Sequence, residues 1–261
     1  MHTVQKIGII GSGNVATCLA HALQAKDFVI DTVFSRDINH AQHLASQLQG
    51  AKAIDNLQLL DVNLDVYLMA VTDDAIVKTA SQIKLNGLLV HTSGSVSLAA
   101  LDAQPRRGVF YPLQTINKNT APNLEQVPIL IEAADKADEQ LLLQLAATLS
   151  TRVLLANSQQ RQSLHLAAVF ANNFTNHIMG IAKHILQQSN LPNDLLNPLI
   201  MQTAQNAITN NPFDVQTGPV MRNDLDTINT HLNLLQQFPQ YRQVYELLSG
   251  SIGALKHQKK V

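Results

Sequence analysis

The feature that most constrains this sequence is a short turn of small residues near its start. An apolar run, KIGII, leads into Gly11-Ser12-Gly13-Asn14-Val15-Ala16, and a helical pattern follows. In a strand-turn-helix unit, Gly11 permits a tight turn, Gly13 lets the backbone approach a ligand, and Ala16 allows close helix packing. Unpaired amide groups and the positive end of the helix dipole then face an anion. The turn predicts a site for a dinucleotide pyrophosphate, and the alternative is a glycine turn without a ligand.

Strand and helix patterns alternate from residue 4 to residue 155. Continuous apolar runs such as VYLMAV are typical of strands buried on both faces, because a sheet with one wet face alternates apolar and polar residues. After residue 157 the patterns are helical only. We therefore expect an α/β fold, with a doubly wound, mostly parallel Rossmann sheet in residues 1–156 and an all-α C-terminal domain in residues 157–261.

Composition narrows the class of partner. The chain has 261 residues, a formal net charge of -1 and 14% charged residues, so no global field favours nucleic acid or an anionic membrane. No apolar run approaches the roughly 18 residues of a membrane span. We expect no signal peptide, because residues 1–6 lead straight into a predicted strand. The single cysteine, Cys18, fits a reducing compartment. We expect a cytoplasmic protein that binds small molecules or protein.

Histidine spacing bears on metal binding. The ten histidines show no HExxH pattern and no Cys-rich spacing, so no metal site is predicted. A pair of metal ligands formed by His165 and His177 remains the alternative.

The residues after the second strand bear on the choice of cofactor. An acidic residue there would bind the ribose 2′-hydroxyl of NAD and repel the 2′-phosphate of NADP. The sequence has Ser35 and Arg36, whose hydroxyl and guanidinium suit a phosphate, followed by Asp37, which can instead cap the next helix. We expect NADP, with NAD less favoured. The alternative without a ligand makes Arg36 a solvated surface residue.

Polar residues also end the next strands of the predicted sheet. Val71 and Thr72 end one strand, and Thr92, Ser93 and Gly94 follow another. Open α/β sheets hold ligands at the carboxyl ends of their strands, so we expect these residues to line the nicotinamide side of the cofactor. Ser93 is also a predicted substrate contact.

Neighbouring residues have structural interpretations as well. Capping of the following helices is ordinary for Asp73, Ser95 or Ser97, and capping can coexist with ligand contact. For His91, a satisfied core position is favoured over a catalytic one. Tyr111 ends the next strand in the sequence YPLQ and could close the wall of the pocket.

The helical pattern that starts at residue 158 carries a polar face. At about 100° per residue, His165, Asn172 and Asn176 share one side with Val169, and Asn173 lies at its margin. In a helix that is largely buried, these side chains need partners, which a cleft between the domains would supply. We expect His165 to act as acid/base and the asparagines to orient substrate. Hydrogen bonds to the Rossmann domain are the structural alternative.

A second polar cluster occurs in the sequence TGPVMRND. Gly218 precedes a proline at a helix start and Arg222 offers a guanidinium, so this segment could hold a carboxylate or phosphate. Asp224 and His231 are seven residues apart and share a helical face. Gly218, Arg222 and Asp224 are therefore predicted to bind substrate. The alternative is a capped helix with a surface Arg-Asp pair.

These motifs together resemble a known family across the whole chain. IGIIGSGNVA, SRD, AVTDDAI, HTSGS, YPLQT, HLAAVFANNF and TGPVMRNDLDTINTHL are similar to a Rossmann-like family of NADP oxidoreductases with a helical C-terminal domain of unknown function. That family resembles a branch of the 6-phosphogluconate dehydrogenase-like superfamily, beside pyrroline-5-carboxylate reductase, ketopantoate reductase and β-hydroxyacid dehydrogenases. The resemblance implies that the first helix after the Rossmann domain lines the active site. It also implies a homodimer that packs through the helical domains.

One position departs from the pattern of the β-hydroxyacid dehydrogenases. Those enzymes carry a lysine three residues before an Asn-Asn pair as proton donor, whereas this sequence has Val169 before Asn172-Asn173. Either His165 gives the proton, or the substrate is an imine that arrives protonated, or catalysis is lost.

The sequence therefore predicts an NADP-dependent oxidoreductase that reduces a small carbonyl or imine substrate, which can be anionic, in a cleft between the domains. A non-catalytic NADP-binding sensor or regulatory protein is the first alternative. A purely structural dimerisation protein is the second.

Overall fold

The computed structural model describes residues 4–116 and 123–258. Its first part alternates strands and helices, as the sequence patterns predict. The elements are β1 (Lys6–Ile10), α1 (Asn14–Gln24), β2 (Val29–Phe34), α2 (Ile38–Ala45), β3 (Lys52–Ile54), β4 (Val66–Met69), α3 (Ile76–Ser81), β5 (Leu88–His91), β6 (Arg107–Pro112), β7 (Ile129–Ala133), α4 (Lys136–Ala147) and β8 (Val153–Leu155).

The second part of the described chain is helical. Its elements are α5 (Ser158–Ala168), a π-helical segment (Val169–Phe174), α6 (Thr175–Gln188), α7 (Asn197–Thr209), α8 (Pro219–Arg222), α9 (Leu225–Leu234) and α10 (Pro239–Gln258). No helix within the described ranges has the length and apolarity that crossing a bilayer requires.

The strands form one sheet in the order β3-β2-β1-β4-β5-β6-β7-β8. Neighbouring strands are parallel except for β6 and β7, which pair antiparallel. The chain runs outward from β1 to β3 and then returns to β4 on the other side of β1, so the strand order reverses between β1 and β4. The expected fold, a doubly wound, mostly parallel Rossmann sheet followed by helices, is confirmed. In such sheets ligands bind at the carboxyl ends of the strands where the order reverses.

Apolar side chains cover both faces of the sheet. Successive residues of β4 point to opposite faces, and each is buried: Val66 and Leu68 belong to one cluster of core residues, Tyr67 and Met69 to the other. The apolar run of this strand therefore reflects burial on both sides, as its sequence predicts.

By its internal contacts the chain divides into two compact units, Met1–Ala171 and Asn172–Val261. The helix α5 groups with the sheet, because the side chain of Arg161 on α5 bonds to Glu132 on β7. The sequence-based boundary after residue 156 would place α5 in the other domain, and that boundary stays a prediction.

Candidate functional site

The turn after β1 requires glycine at its first position. Gly11 has φ +122°, in the region that side chains rarely adopt, and a Cβ there would clash with the carbonyl oxygen of Ala70. The Gly11 amide donates to the carbonyl of Phe34 at 2.8 Å. The turn is therefore held between the ends of β4 and β2, and only a residue without a side chain fits.

Gly13, the second glycine of the turn, borders open space. It precedes α1, no side chain of the described residues caps this helix, and a Cβ at Gly13 would meet no atom within 4 Å. The first amide groups of α1 thus face a groove. Ala16, at 1% exposure, packs one turn further on. An anionic diphosphate fits this helix end, since its backbone donors are open and glycine lets a ligand approach them.

A groove runs along the carboxyl ends of the strands. It consists of a cavity of about 420 Å³ and a second of about 400 Å³, which have Gly13, Ala70, Val71 and Thr72 in common. Every residue predicted from the sequence to contact the cofactor lines one or both cavities, and those contacts stay a prediction. These residues are Gly11, Ser12, Gly13, Asn14, Val15, Ser35, Arg36, Val71, Thr72, Thr92, Ser93 and Gly94.

The first cavity carries basic side chains at one end. Ser35 and Arg36 line it, and so do His40 of α2 and Lys78 of α3, which sequence reasoning missed. Asp37 caps α2, where its carboxylate accepts the Asn39 amide at 2.9 Å. This bond lowers the pKa of Asp37, so the group is an anion that already has a backbone partner. Three basic groups beside a serine hydroxyl suit a phosphate monoester such as the 2′-phosphate of NADP.

The second cavity brings His165 of α5 to the ends of β4 and β5. Thr92, Ser93 and Gly94 line it together with this imidazole. The hydroxyl of Tyr111 lies 3.2 Å from His165 Nδ1, and a Cβ on Gly94 would lie 2.7 Å from that same nitrogen. Burial raises the pKa of Tyr111, so its phenol stays protonated near neutral pH. The imidazole that lines the cavity is therefore in contact with a neutral hydroxyl behind it.

His91 lies in the core, as predicted, but only one of its ring nitrogens is satisfied: within the described residues, its buried Nε2 has no hydrogen-bond partner. Its side chain is fully buried, and its Nδ1 accepts the Ser93 amide at 3.2 Å. Desolvation, followed by the nearby Arg161 guanidinium, lowers the pKa of His91 to about 4. The imidazole is therefore neutral at physiological pH and supports the loop that follows β5.

The expectation of a largely buried helix after residue 158 is wrong for this chain. Asn172, Asn173 and Asn176 are exposed, and α6 holds no buried residue. The segment Val169–Phe174 is π-helical, with bonds that span five residues. The α-helical spacing that grouped the asparagines with His165 therefore does not apply across it. Their catalytic role stays a prediction.

The second polar cluster forms a local cap. Gly218, with φ +111°, precedes the single turn α8, and Asp224 caps α9 by accepting the Thr227 amide at 3.1 Å. Arg222 lies 3.9 Å from Asp224 and is 65% exposed, so this ion pair is a surface one. His231 Nδ1 lies 3.0 Å from the Tyr245 hydroxyl. The geometry matches the capping alternative, and substrate binding by Gly218, Arg222 and Asp224 stays a prediction.

The described part of the chain contains no set of metal ligands. No group of three or more His, Cys, Asp or Glu side chains there could hold a metal ion.

Comparison with known proteins gives two family matches. A model described as NADP oxidoreductase, coenzyme F420-dependent, matches residues 6–92. A model described as a domain of unknown function, DUF2520, matches residues 127–252. Among curated proteins, none matches the sequence.

Solved structures extend the likeness to the whole chain. A protein from Bacteroides fragilis assigned as an NADP oxidoreductase is 39% identical, with 96% of this chain and 98% of that chain covered and a TM-score of 0.89. A reductive aminase from Aspergillus terreus in complex with NADPH is 15% identical, with 98% and 95% covered and a TM-score of 0.72. A 1-pyrroline-5-carboxylate reductase from Streptococcus pyogenes is 12% identical, with 96% and 99% covered and a TM-score of 0.62. The last two show similarity of fold alone.

Proposed function

We propose a function from one premise: this chain belongs to the family of NADP oxidoreductases that join an NADP-binding Rossmann domain to a DUF2520 domain. Its cofactor is NADP. Its substrate, in our proposal, is a small molecule with a carbonyl or imine group that is reduced beside His165. The reductive aminase and the pyrroline-5-carboxylate reductase with the same fold favour this chemistry by their names.

The groove supplies what the cofactor needs. The open amides of the turn at Gly11 and Gly13 would hold the diphosphate, and Arg36, His40 and Lys78 would surround the 2′-phosphate. When bound, NADPH supplies the hydride. The ends of β4 and β5 leave the second cavity for the nicotinamide and the substrate.

The position of His165 carries the proposal. An imidazole exchanges protons near neutral pH, and this one lies in the cavity with Thr92 and Gly94. As imidazolium, His165 donates Nδ1–H to the Tyr111 oxygen and Nε2–H to the carbonyl oxygen or imine nitrogen. After transfer the ring is neutral, its remaining proton stays on Nδ1 towards Tyr111, and solvent returns a proton to Nε2. His165 thus replaces the lysine of the β-hydroxyacid dehydrogenases.

A substrate panel tests this proposal. NADPH oxidation is followed with cyclic imines, ketones and keto acids, for the natural protein and for His165→Ala. We expect turnover with at least one class, and His165→Ala lowers kcat by about 100-fold while the Kd of NADPH is unchanged. His43→Ala is the matched control, because His43 is exposed on α2 and does not line the groove. Tight NADPH binding without turnover across the panel would contradict the reductase and favour a non-catalytic sensor. Val169, at the position of the usual lysine, is the sequence feature that fits this alternative.

We propose further that two copies associate through the second unit. Among its described apolar side chains only Leu235 is buried, whereas Leu199, Ile208 and Leu247 are 63%, 80% and 74% exposed. A unit of this size without a core needs a partner to cover its apolar surface. The family resemblance makes a second copy the partner. In this proposal the protein works in the cytoplasm, where Cys18 stays reduced.

Light scattering on the eluting protein tests the dimer. The natural chain is expected at twice the monomer mass, and Leu199→Glu with Ile208→Glu is expected to give monomer or aggregate. A natural chain that elutes as monomer at micromolar concentration contradicts the proposal.

A further inference from the structure

Arg161 is a fully buried cation that the proposed chemistry does not use. Its side chain is 0% exposed, on the inner face of α5. Nη1 bonds to a carboxylate oxygen of Glu132, Nη2 bonds to the carbonyl of Val96, and Nε donates to the carbonyl of Ser93 at 3.2 Å. A guanidinium has five N–H donors in a fixed plane, so one side chain satisfies all these acceptors at once.

The two carbonyl acceptors belong to one loop, residues 92–98, which follows β5. Thr92, Ser93 and Gly94 of this loop line the second cavity. Arg161 holds two of the loop carbonyls, and Gln162 donates to a third, that of Ser95, at 2.8 Å. The Leu98 amide donates to the hydroxyl of Ser158 at 3.0 Å. Consecutive turns of α5 therefore bind the backbone of this loop, which fixes the loop relative to the helix.

Glu132 completes the arrangement from β7. Its carboxylate accepts the Ser158 amide at 3.0 Å, at the first residue of α5, as well as the guanidinium of Arg161. Removing two charges from water is costly, and replacing such a pair by apolar residues is often neutral for stability. Stability alone therefore does not account for a charged pair here. The charged pair differs from an apolar contact in the direction of its bonds, because the planar guanidinium fixes where the loop carbonyls lie.

The direction matters because His165 stands one helical turn after Arg161. Gly94 lies in the loop between the two carbonyls that Arg161 holds. A Cβ on Gly94 would lie 2.7 Å from His165 Nδ1 and from Tyr111 Cζ, so loop and imidazole are already at contact distance. A small displacement of the loop or of α5 therefore changes the distance between His165 and a ligand bound against the loop.

We propose that Arg161, paired with Glu132, is the positioning residue of the site: it sets the distance between His165 and the loop at Ser93 and Gly94. The inference rests on the proposed function, in which this loop faces the nicotinamide and His165 donates the proton. A misplacement of about 1 Å in such a site costs about 100-fold in rate. The role is distinct from catalysis, because Arg161 has no exposed surface with which to touch a substrate.

The test compares Arg161→Met with the double variant Arg161→Met and Glu132→Met. The single variant leaves the largely buried carboxylate of Glu132 without its cation and is expected to lower Tm. The double variant removes both charges and is expected to regain part of Tm, because the Ser158 amide then lacks its acceptor. If Arg161 positions His165, the double variant still shows a kcat about 100-fold below the natural value, with the Kd of NADPH unchanged, because the phosphate end of the groove is intact.

A second measurement keeps the inference separate from the proposed function. The ring 15N resonances of His165 report its bond to Tyr111 without any substrate. They are expected to move in both variants and to stay in Arg106→Met, which breaks the ion pair between Asp138 of α4 and the residue before the amino end of β6. Unmoved His165 resonances in the double variant overturn the inference, as does recovery of kcat together with Tm. If the natural protein shows no turnover, only the proposed function is contradicted. The His165 resonances would still show whether Arg161 positions this imidazole.

Discussion

The hydroxyl of Tyr111 lies 3.2 Å from Nδ1 of His165, and the two rings meet edge to face with centroids 6.2 Å apart. The contact joins the carboxyl end of β6 to α5, so residues 54 positions apart in the sequence form one unit. One ring nitrogen of His165 is thereby engaged, so in the proposed reaction Nε2 is the nitrogen that faces the substrate.

Tyr111→Phe removes the hydroxyl and keeps the ring. We expect kcat to fall about tenfold, because one hydrogen bond that orients the imidazole is lost, while the Kd of NADPH stays the same. Steady-state kinetics with the best substrate of the panel, together with a binding titration, provides the check. Tyr241→Phe is the matched control, since its hydroxyl bonds to His184 at 2.9 Å in the second unit. An equal loss in both variants would show that the effect is not specific to His165.

Substitutions of the two glycines of the turn are expected to affect different properties, cofactor binding at Gly13 and stability at Gly11. Gly13→Val is expected to keep the natural Tm but to weaken NADPH binding by about 100-fold, because its side chain enters open space where the diphosphate would lie. Gly11→Ala is expected to lose about 2 kcal/mol or more of unfolding free energy, because alanine at φ +122° is strained and meets Ala70.

Thermal unfolding and NADPH titration on both variants separate these outcomes. The dinucleotide site would have to be abandoned if Gly13→Val were folded and bound NADPH as tightly as the natural protein.

We expect the basic end of the groove to set the preference for NADPH over NADH. Arg36→Ala is expected to weaken NADPH about 30-fold and to leave NADH unchanged, because a charge-assisted bond to the 2′-phosphate is worth about 2 kcal/mol. Lys78→Ala should act in the same direction with a smaller loss, about fivefold, since an ammonium is a point charge without the bidentate fork of a guanidinium. Titration with each nucleotide measures the ratio.

Arg152→Ala serves as the control for charge, because this arginine is exposed and does not line the groove. Equal weakening of NADH by Arg36→Ala would mean that the guanidinium contacts a part that both nucleotides have.

Buried His91 makes stability depend on pH. The unfolded chain takes up a proton as the pH falls below 6.5, whereas the folded protein resists until about pH 4. Stability from neutral His91 is therefore full above pH 6.5 and declines towards pH 4, by up to about 3 kcal/mol. The depressed carboxyl groups, such as Asp37, lose their contribution only below their ordinary pKa of 3.8.

Denaturant unfolding across this pH range measures the decline. His91→Asn should flatten it, because the amide oxygen can still accept the Ser93 amide and cannot titrate. An unchanged pH dependence in His91→Asn would assign the decline to other groups.

The parts of this molecule that could be predicted from sequence are those set by local rules. The turn at Gly11 and Gly13 follows from backbone conformation, and the ends of β4 and β5 follow from the topology of parallel sheets. Residues such as Ser35 and Thr92, far apart in the chain, were therefore placed along one groove from strand positions alone. The antiparallel β7 carries no such signal, since an apolar run does not reveal strand direction.

The remaining features depend on packing between distant segments. Arg161 stands in SQQRQS, which reads as a polar helix surface, and only its contacts with Glu132 and residues 92–98 explain its burial. His40 and Lys78 are single residues on α2 and α3 that meet at the groove through the layout of the helices. The π-helical segment breaks the α-helical period on which the asparagine face was predicted, and no residue pattern announces it.

The missing side chain of Gly94 limits how a protein with this pocket can diversify. A methyl group at position 94 would lie 2.7 Å from both His165 Nδ1 and Tyr111 Cζ, so one of these rings would have to move. If the proposed function holds, selection for new substrates must act elsewhere on the wall. Thr92 and Ile116 line the same cavity and already carry side chains. Laboratory libraries aimed at altered specificity should vary those two positions and leave 94 untouched.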